Sequence, residues 1–254
     1  YFFCRDCPSG YSALGGQTLN PYGRFDFGTG GSSSGSGASI AANYAAVAVG
    51  SETSGSILSP SSANSLVGLK PTTGSLSRSG VVPISSTLDT VGPMGRSVAD
   101  VATLFNAMTG FDREDLAMPL ISEDLQLIVR DTKLDNRRFG VLRTYSNDAL
   151  YSRALDLLSQ NGFSLQEVDF QSERHARFSE LLGAEMKRDL ALYLIEYASS
   201  EIEVDSINSL QEFNLIDLEN RAPYGQALVD LMVDLELTAG EVERLGADLR
   251  AWGQ

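Results

Sequence analysis

The clearest periodic pattern of apolar residues along the chain follows Ser97. Apolar side chains recur there with the spacing of a helix that buries one face, at Val98, Val101, Leu104, Phe105 and Met108. Asp100 lies in the first turn, and Gly110 follows the last apolar position, where a glycine commonly ends a helix. The pattern therefore predicts an amphipathic helix that begins at Ser97 and ends before Gly110.

Beyond this helix, strand-like and helix-like segments alternate along the chain. The pattern predicts a buried strand at 139–144, a helix at 148–159 and a second strand at 163–170. From Ser172 to the end the pattern is that of acidic, amphipathic helices, and Thr238-Ala-Gly-Glu241 is typical of a helix N-terminus. This alternation predicts an α/β layered fold.

The N-terminal part of the chain is dominated by glycine and serine instead of periodic apolar positions. Ten of the twelve positions from Gly28 to Ser39 are Gly or Ser. The small apolar segment from Ala41 to Gly50 (AANYAAVAVG) predicts a tightly packed helix that runs into a turn. A second Gly/Ser-rich turn covers Ser51 to Ser59, and Ser59-Pro60 is a favourable start for the next helix.

The charge balance of the 254-residue chain argues against several classes of partner. Asp and Glu number 33 against 19 Lys and Arg, so the formal net charge is −14 at pH 7. Such a chain repels phosphate backbones and anionic lipid surfaces, so we expect neither nucleic acid nor a membrane as partner. No apolar run approaches the ~20 residues that a membrane-spanning helix needs. The composition is that of a soluble globular protein.

The only two cysteines, Cys4 and Cys7, have a Cys-x-x-Cys spacing. A zinc site would need two further ligands, and the chain has no other cysteine and a single histidine, so we expect no metal and no cofactor. Two thiols in a reducing compartment are the simpler interpretation, and it favours the cytoplasm. Because the chain begins at Tyr1 rather than at Met, the sequence leaves a signal peptide open, and it leaves the oligomeric state open as well.

A histidine-dependent serine hydrolase is one candidate chemistry. It would have to use His175, the single histidine, which we expect on the solvated surface of a helix. Gly31-Ser32-Ser33-Ser34-Gly35 matches the Gly-x-Ser-x-Gly nucleophile elbow, centred on Ser33. That elbow follows a buried strand, whereas residues 25–30 are glycine-rich, so this alternative is disfavoured but stays open. No lysine follows these glycines, which excludes a Walker phosphate loop.

Two Gly/Ser turns, at Gly30–Ser36 and Gly50–Ile57, remain as candidate chemistry. Glycines let a backbone point several N–H groups at one spot, which is how an oxyanion hole is built. A serine at the end of such a turn is placed to attack a carbonyl group that is held there. From the residues alone a purely structural turn is the commoner case, so both interpretations stay open.

Five segments of the chain carry a resemblance to a known family. They are GGQTLNPYG (15–23), GGSSSGSG (30–37), GSETSGSI (50–57), GLKPT (68–72) and LDTVGPMGRSVAD (88–100). In this order they resemble the amidase signature family, from about Ser12 to Asp112, and the branch that includes bacterial peptide amidases is the most similar. The acidic, helical remainder at 113–254 matches loosely. The resemblance implies an α/β/α sandwich around a mixed β-sheet, in a single amidase-type domain over residues 1–254 that is truncated at both ends.

The resemblance also implies a Ser–Ser–Lys triad that hydrolyses small-molecule or peptide amides. It implies that Ser56 is the nucleophile and that Ser32, which follows a cis peptide bond in the family, relays its proton. The implied oxyanion donors are the backbone N–H groups of Thr53, Ser54, Gly55 and Ser56. Many relatives have an arginine where this chain has Leu58, so the implied substrate is a neutral or peptide-terminal carboxamide. The alternatives are an inactive amidase-like binding protein and the Ser33 esterase described above.

The catalytic lysine of the family lies several tens of residues before the relay serine. Only 31 residues precede Ser32 in this chain, and none of them is a lysine. The lysines present all follow Ser56, and they are Lys70, Lys133 and Lys187. We expect Lys70 to be structural and to pair with a carboxylate, and we expect the other two to be solvated. The chain by itself is therefore expected to be inactive.

Overall fold

The computed structural model of the protein describes residues 7–115, 118, 125–129, 137–169 and 174–253. Its internal contacts divide the chain into two compact units. The first unit comprises Tyr1–Val129 and Ala176–Gln254, and the second comprises Arg130–His175. Both Gly/Ser turns belong to the first unit. The interpretation of residues 1–254 as one amidase-type domain stays a prediction.

The N-terminal part of the first unit is a small antiparallel sheet with helices packed on it. Its elements are β1 (Tyr11–Ser12), β2 (Gly16–Gln17), α1 (Ser34–Ala41), β3 (Val47–Glu52), α2 (Leu58–Ala63), β4 (Val67–Gly68), β5 (Thr90–Gly95) and α3 (Val98–Met108). The strand order is β3-β5-β4, with β5 in the centre, and β1 pairs separately with β2. Both pairings of β5 are antiparallel, with Gly50 opposite Gly92 and Gly68 opposite Met94. The second Gly/Ser turn leaves this sheet where β3 ends.

The predicted helix at 41–50 is wrong. The helix α1 occupies the preceding Gly/Ser segment and ends at Ala41. Asn43 then adopts a φ of 63°, a left-handed conformation that commonly terminates helices. The strand β3 begins at Val47 because it pairs with all six residues of β5, a partner about forty positions away that local composition does not reveal. The next helix begins at Leu58, slightly before the predicted start at Ser59-Pro60.

The predicted amphipathic helix is confirmed as α3. Ser97 caps it: the Ser97 hydroxyl accepts a hydrogen bond from the N–H of Asp100, and the Asp100 carboxylate accepts one from the N–H of Ser97. Val101 and Phe105 are buried, and Phe105 packs with Leu76 and Val91. A second small cluster joins the two turns to the sheet, and it consists of Ile40, Ile57 and Met94. Apolar side chains of α1, of β5 and of the residue just before α2 therefore pack against one another.

The second unit contains β6 (Arg138–Leu142), α4 (Ala149–Gln160) and β7 (Ser164–Val168). The two strands are parallel, and the helix connects them, which confirms the predicted strand, helix, strand order. The strand β6 is only partly buried, contrary to the prediction of a buried strand. His175 ends this unit and lies outside any helix, so its predicted place on a helix is wrong.

The C-terminal part of the first unit is helical, as predicted. It contains α5 (Phe178–Tyr197), α6 (Ile207–Ile216), α7 (Leu218–Arg221), α8 (Ala227–Val233) and α9 (Ala239–Trp252). The helix α5 is central, because Leu181 and Ala184 pack against α9, while Met186 and Leu190 pack against α6 and α8. Thr238 caps α9 with Glu241 in the predicted capping box. Two buried carboxylates of α5, Glu185 and Asp189, stand out among these apolar contacts.

The state of the cysteines and the absence of a membrane-spanning helix were also predicted from the sequence. Cys7 is disulfide-bonded, so the prediction of two free thiols is wrong, and Cys4 lies outside the described part of the chain. No helix among the described residues is both long enough and apolar enough to cross a membrane.

Leu181→Ala should lower the free energy of unfolding by about 2–5 kcal/mol, because Leu181 is fully buried between α5 and α9. Chemical unfolding followed by circular dichroism measures this cost. Leu192→Ala is the matched control, since Leu192 lies on the same helix but its side chain is 61% exposed. It should change the stability by no more than about 0.5 kcal/mol. Equal costs for the two variants would contradict the packing of α5.

Candidate active site

The first Gly/Ser turn approaches the start of α2 so closely that only glycine fits. Gly30 has a φ of 64°, and a Cβ atom there would lie 2.7 Å from backbone atoms of Ser59 and Pro60. The peptide bond between Gly31 and Ser32 is cis, the isomer that the resemblance implies before the relay serine. The side chain of Ser32 is exposed. The turn therefore presents the Ser32 hydroxyl on a backbone that is fixed against α2.

Hydrogen bonds of Ser33 join the two Gly/Ser turns. Its N–H donates to the carbonyl oxygen of Ser56 at 3.1 Å. Its Oγ donates to the carbonyl oxygen of Ser51 and accepts from the N–H of Ser51, both at 3.1 Å. The hydroxyl that the elbow motif would use as a nucleophile is thus occupied at both its donor and its acceptor side. Ser32 directly precedes Ser33, the residue whose N–H donates to Ser56.

The second turn exposes a run of backbone donors between β3 and α2. Within the described part of the chain, the N–H groups of Thr53, Ser54, Gly55 and Ser56 donate no hydrogen bond. The next two N–H groups, of Ile57 and Leu58, donate to Oε2 of the buried Glu52 at 2.7 and 3.0 Å. Gly55 has a φ of 97°, which a residue with a side chain rarely adopts. The turn thus has the donors that an oxyanion hole requires, with Ser56 at its end.

Two asparagines hold the first turn against α2, and sequence reasoning missed both. Asn64 donates through Nδ2 to the carbonyl oxygens of Thr29 and Pro60, at 2.9 and 2.8 Å. Asn20 donates through Nδ2 to those of Gly28 and Ala63, also at 2.9 and 2.8 Å. Both asparagines are almost fully buried. Asn20-Pro21 gives only a turn signal, because the acceptors of its side chain are distant in sequence.

Asp89 is a further buried group beside the second turn. Its Oδ1 accepts a hydrogen bond of 2.5 Å from the hydroxyl of Thr53, and its Oδ2 accepts from the N–H groups of Ile84 and Ser85 at 2.8 Å each. Burial raises the pKa of the Asp89 carboxyl above its ordinary value, and these hydrogen bonds and the charge of Arg78 partly oppose the rise. Asp89 lies in one of the family-like segments, but its role there could not be predicted.

The described lysines donate to backbone carbonyl groups that belong to neither turn. Nζ of Lys70 donates to the carbonyl oxygen of Pro71 at 3.0 Å, and no ion pair of Lys70 occurs among the described residues, contrary to the expected carboxylate partner. Nζ of Lys187 donates to the carbonyl oxygens of Val233 and Leu235, at 2.8 and 3.0 Å, so its prediction as solvated is wrong. Lys133 lies outside the described residues.

The arrangement offers acid–base and nucleophilic chemistry from serine hydroxyls and backbone donors. In the part of the chain that the structure describes, no group of three or more His, Cys, Asp or Glu side chains could hold a metal ion. A carbonyl compound with its oxygen at the donors of the second turn would have its carbon beside Ser56. Such a site can stabilise the oxyanion that forms during acyl transfer.

Comparisons with known proteins place the chain among relatives of one family. The family model "Amidase" matches residues 6–227. A probable amidase from Arabidopsis thaliana is 35% identical over 251 residues, which cover 93% of this chain and 48% of that protein. The crystal structure of an amidase family protein from Bacillus anthracis has a TM-score of 0.88 at 34% identity, covering 98% of this chain and 51% of that one. That of the peptide amidase from Stenotrophomonas maltophilia has a TM-score of 0.84 at 34% identity, covering 96% and 52%.

Fold and sequence together define the family to which the chain belongs. The chain belongs to the amidase family, and its α/β fold is that of the amidase signature proteins, as predicted. It spans about half the length of the relatives described above.

Gly30→Ala should destabilise the protein by about 3 kcal/mol or more. A left-handed conformation at a residue with a side chain costs about 1–3 kcal/mol by itself, and the added Cβ would also overlap the backbone of Ser59 and Pro60. Thermal and chemical unfolding measure the loss. Gly35→Ala in α1 is the control, since a Cβ there meets nothing within 4 Å, and it should be neutral or stabilise by up to about 1 kcal/mol. A neutral Gly30→Ala would show that the first turn is not in close contact with the start of α2.

Proposed function

We propose that the protein hydrolyses amide bonds, with Ser56 as nucleophile and Ser32 as proton relay. The observation that carries the proposal is the run of four backbone N–H groups without a described acceptor, at Thr53, Ser54, Gly55 and Ser56. They end at a serine whose carbonyl oxygen is hydrogen-bonded to the turn of Ser32. The family membership supports the same chemistry.

In the proposed reaction, Oγ of Ser56 attacks the carbonyl carbon of the amide. Its proton passes to Ser32, which in turn gives its own proton to a base. The negative charge that develops on the carbonyl oxygen is stabilised by the N–H groups of the second turn, and one such donor contributes about 10²–10³ in rate. The C–N bond then breaks, the relayed proton goes to the leaving amine, and an ester of Ser56 remains. Water attacks this ester by the same route and releases the carboxylic acid.

The substrate we propose is a neutral or peptide-terminal carboxamide. One of the structures that this chain resembles is a peptide amidase. In addition, Leu58 follows the nucleophile turn where an arginine would provide a partner for a carboxylate. The side chain of Leu58 is exposed and apolar. A substrate without a charge next to the reacting amide fits this position best.

The histidine-dependent alternative has less support. Both hydrogen-bonding sides of the Ser33 hydroxyl are occupied by the backbone of Ser51, so the hydroxyl would have to give up both bonds to act as a nucleophile. A fluorophosphonate probe with mapping of the labelled peptide distinguishes the candidates. Label on Ser56 supports the amidase, label on Ser33 supports the esterase, and the absence of label from an active-site serine supports a binding protein.

Ser56→Ala should abolish amide turnover in the intact protein and leave its melting temperature nearly unchanged, because the substitution removes one hydroxyl from a turn. Ammonia release from a peptide amide measures turnover. Ser62→Ala is the matched control, since Ser62 is an exposed serine of the adjacent helix α2, and it should keep the parent rate.

The same assay tests the relay against the histidine mechanism. His175→Ala should leave turnover within a few-fold of the parent, because the proposed proton path contains no imidazole. Turnover that survives Ser56→Ala would refute the assignment of the nucleophile. A loss of several orders of magnitude in His175→Ala would instead favour the Ser33 esterase.

The 254-residue chain by itself should show no measurable amide turnover. A relay needs its base within hydrogen-bonding reach of Ser32, and the two described lysines donate to backbone carbonyl groups elsewhere. Turnover of this chain should be compared with that of a longer protein in which a lysine precedes Ser32. Similar rates would place the base inside this chain, and Lys70→Ala would then be the first variant to measure.

A further inference from the structure

The hydroxyl of Thr53 takes no part in the reaction proposed above, which uses only its backbone N–H. The hydroxyl nevertheless donates the shortest of the hydrogen bonds around the second turn, 2.5 Å to Oδ1 of Asp89. Asp89 is a carboxylate with only 9% of its surface exposed. Burying a charge is costly unless it is fully hydrogen-bonded, so the position of this carboxylate next to the turn needs a reason.

Asp89 uses its second oxygen to hold a different part of the chain. Oδ2 accepts from the N–H groups of Ile84 and Ser85 at 2.8 Å each. The guanidinium of Arg78 lies in the same cluster and donates to the carbonyl oxygen of Asp89 at 3.3 Å. One carboxylate therefore bridges the turn that carries the oxyanion donors and the loop at 84–89.

The loop at 84–89 is in turn fastened to the buried face of α5. Glu185 accepts hydrogen bonds from the N–H and the hydroxyl of Thr87, at 3.2 and 2.6 Å, and from the hydroxyl of Ser85. Asp189 accepts from the N–H of Ser86 at 3.1 Å. Because α5 packs against three other helices, the loop that presents Asp89 has little freedom to move.

We infer that Asp89 is a positioning residue, which acts through the Thr53 hydroxyl to fix the direction of the N–H groups of the second turn. The inference rests on the proposed function, because the direction of these donors matters only if they bind an oxyanion. Preorganised donors stabilise a transition state without reorganising during the reaction. A turn without the Thr53–Asp89 bond would keep its N–H groups but would hold them less firmly.

Thr53→Val tests this role, since valine has the shape of threonine and retains the backbone N–H. In the intact, active protein kcat should fall about 10- to 100-fold, the range that corresponds to losing one hydrogen bond to a charged group. KM should stay within about three-fold, because the lost interaction acts on the transition state. Thr53→Ser restores the hydroxyl and should return kcat to within about three-fold of the parent.

Two further variants separate positioning from a general loss of structure. Ser79→Ala removes a 2.7 Å hydrogen bond to a different carboxylate, that of Asp112, and should leave kcat unchanged. Asp89→Asn should cost kcat much less in the Thr53→Val background than alone, because interacting residues are not additive. An unchanged kcat in Thr53→Val, a failure of serine to rescue it, or additive losses would each overturn the inference.

A measurement without turnover keeps the inference separate from the proposed function. Backbone ¹⁵N order parameters of Ser54 and Gly55 should fall in Thr53→Val from about 0.85 towards 0.6 or below, the difference between rigid and flexible backbone. Thr53→Ser and Ser79→Ala should keep the parent values. If turnover survives Ser56→Ala, the proposed function fails while this result still stands. If the order parameters in Thr53→Val match the parent, the positioning role fails whatever the activity.

Discussion

The contact between the two Gly/Ser turns is the constraint on which the candidate site depends. The backbone of Gly30 lies so close to Ser59 and Pro60 that there is no room for a Cβ atom. At the same place, the N–H of Ser33 donates to the carbonyl oxygen of Ser56. This proximity places the backbone of Ser32 one residue from the hydrogen bond between Ser33 and Ser56. A larger residue at Gly30 would separate the turns and with them the two serines.

Around the second turn, some backbone N–H groups have a hydrogen-bond acceptor among the described residues and others have none. Nearly all buried backbone N–H groups in proteins are paired, and one oxygen of the buried Glu52, Oε2, accepts from the N–H groups of both Ile57 and Leu58. The preceding N–H groups, of residues 53–56, have no acceptor among the described residues. The carboxylate of Asp89 comes close to the same turn but binds the Thr53 hydroxyl rather than a backbone N–H. The neighbouring carboxylates thus fix the turn and leave its donors available to a ligand.

Local sequence signals predicted the elements that local interactions stabilise. Ser97 with Asp100, and Thr238 with Glu241, form capping boxes. The two members of each box are three residues apart, so the sequence alone reveals them, and the helices that they begin are confirmed. The strand β3 was mistaken for a helix because the alanines at and before its start favour a helix, and its partner β5 lies far along the chain. For the site, the family resemblance pointed to both turns and to the cis bond, which the structure contains. It could not assign roles to Asn20, Asn64 or Glu52, whose side chains act through backbone partners that only the fold brings near.

The family-like segment at 12–112 contains Ser32 and Ser56, but part of it is held in place by residues outside it. The loop at 84–89 is held by Glu185 and Asp189, which lie about a hundred positions later on α5. These carboxylates are buried, and their burial is balanced by hydrogen bonds from the loop, so neither partner is well accommodated without the other. The acidic C-terminal helices are therefore part of the framework of the site. From the sequence we expected them to match the family only loosely, but the family model extends to residue 227. A carboxylate on α5, that of Glu185, is linked to the second turn by three hydrogen bonds, from Glu185 to Ser85, from Ser85 to Asp89 and from Asp89 to Thr53. Through this chain of contacts a distant helix can influence the geometry beside Ser56.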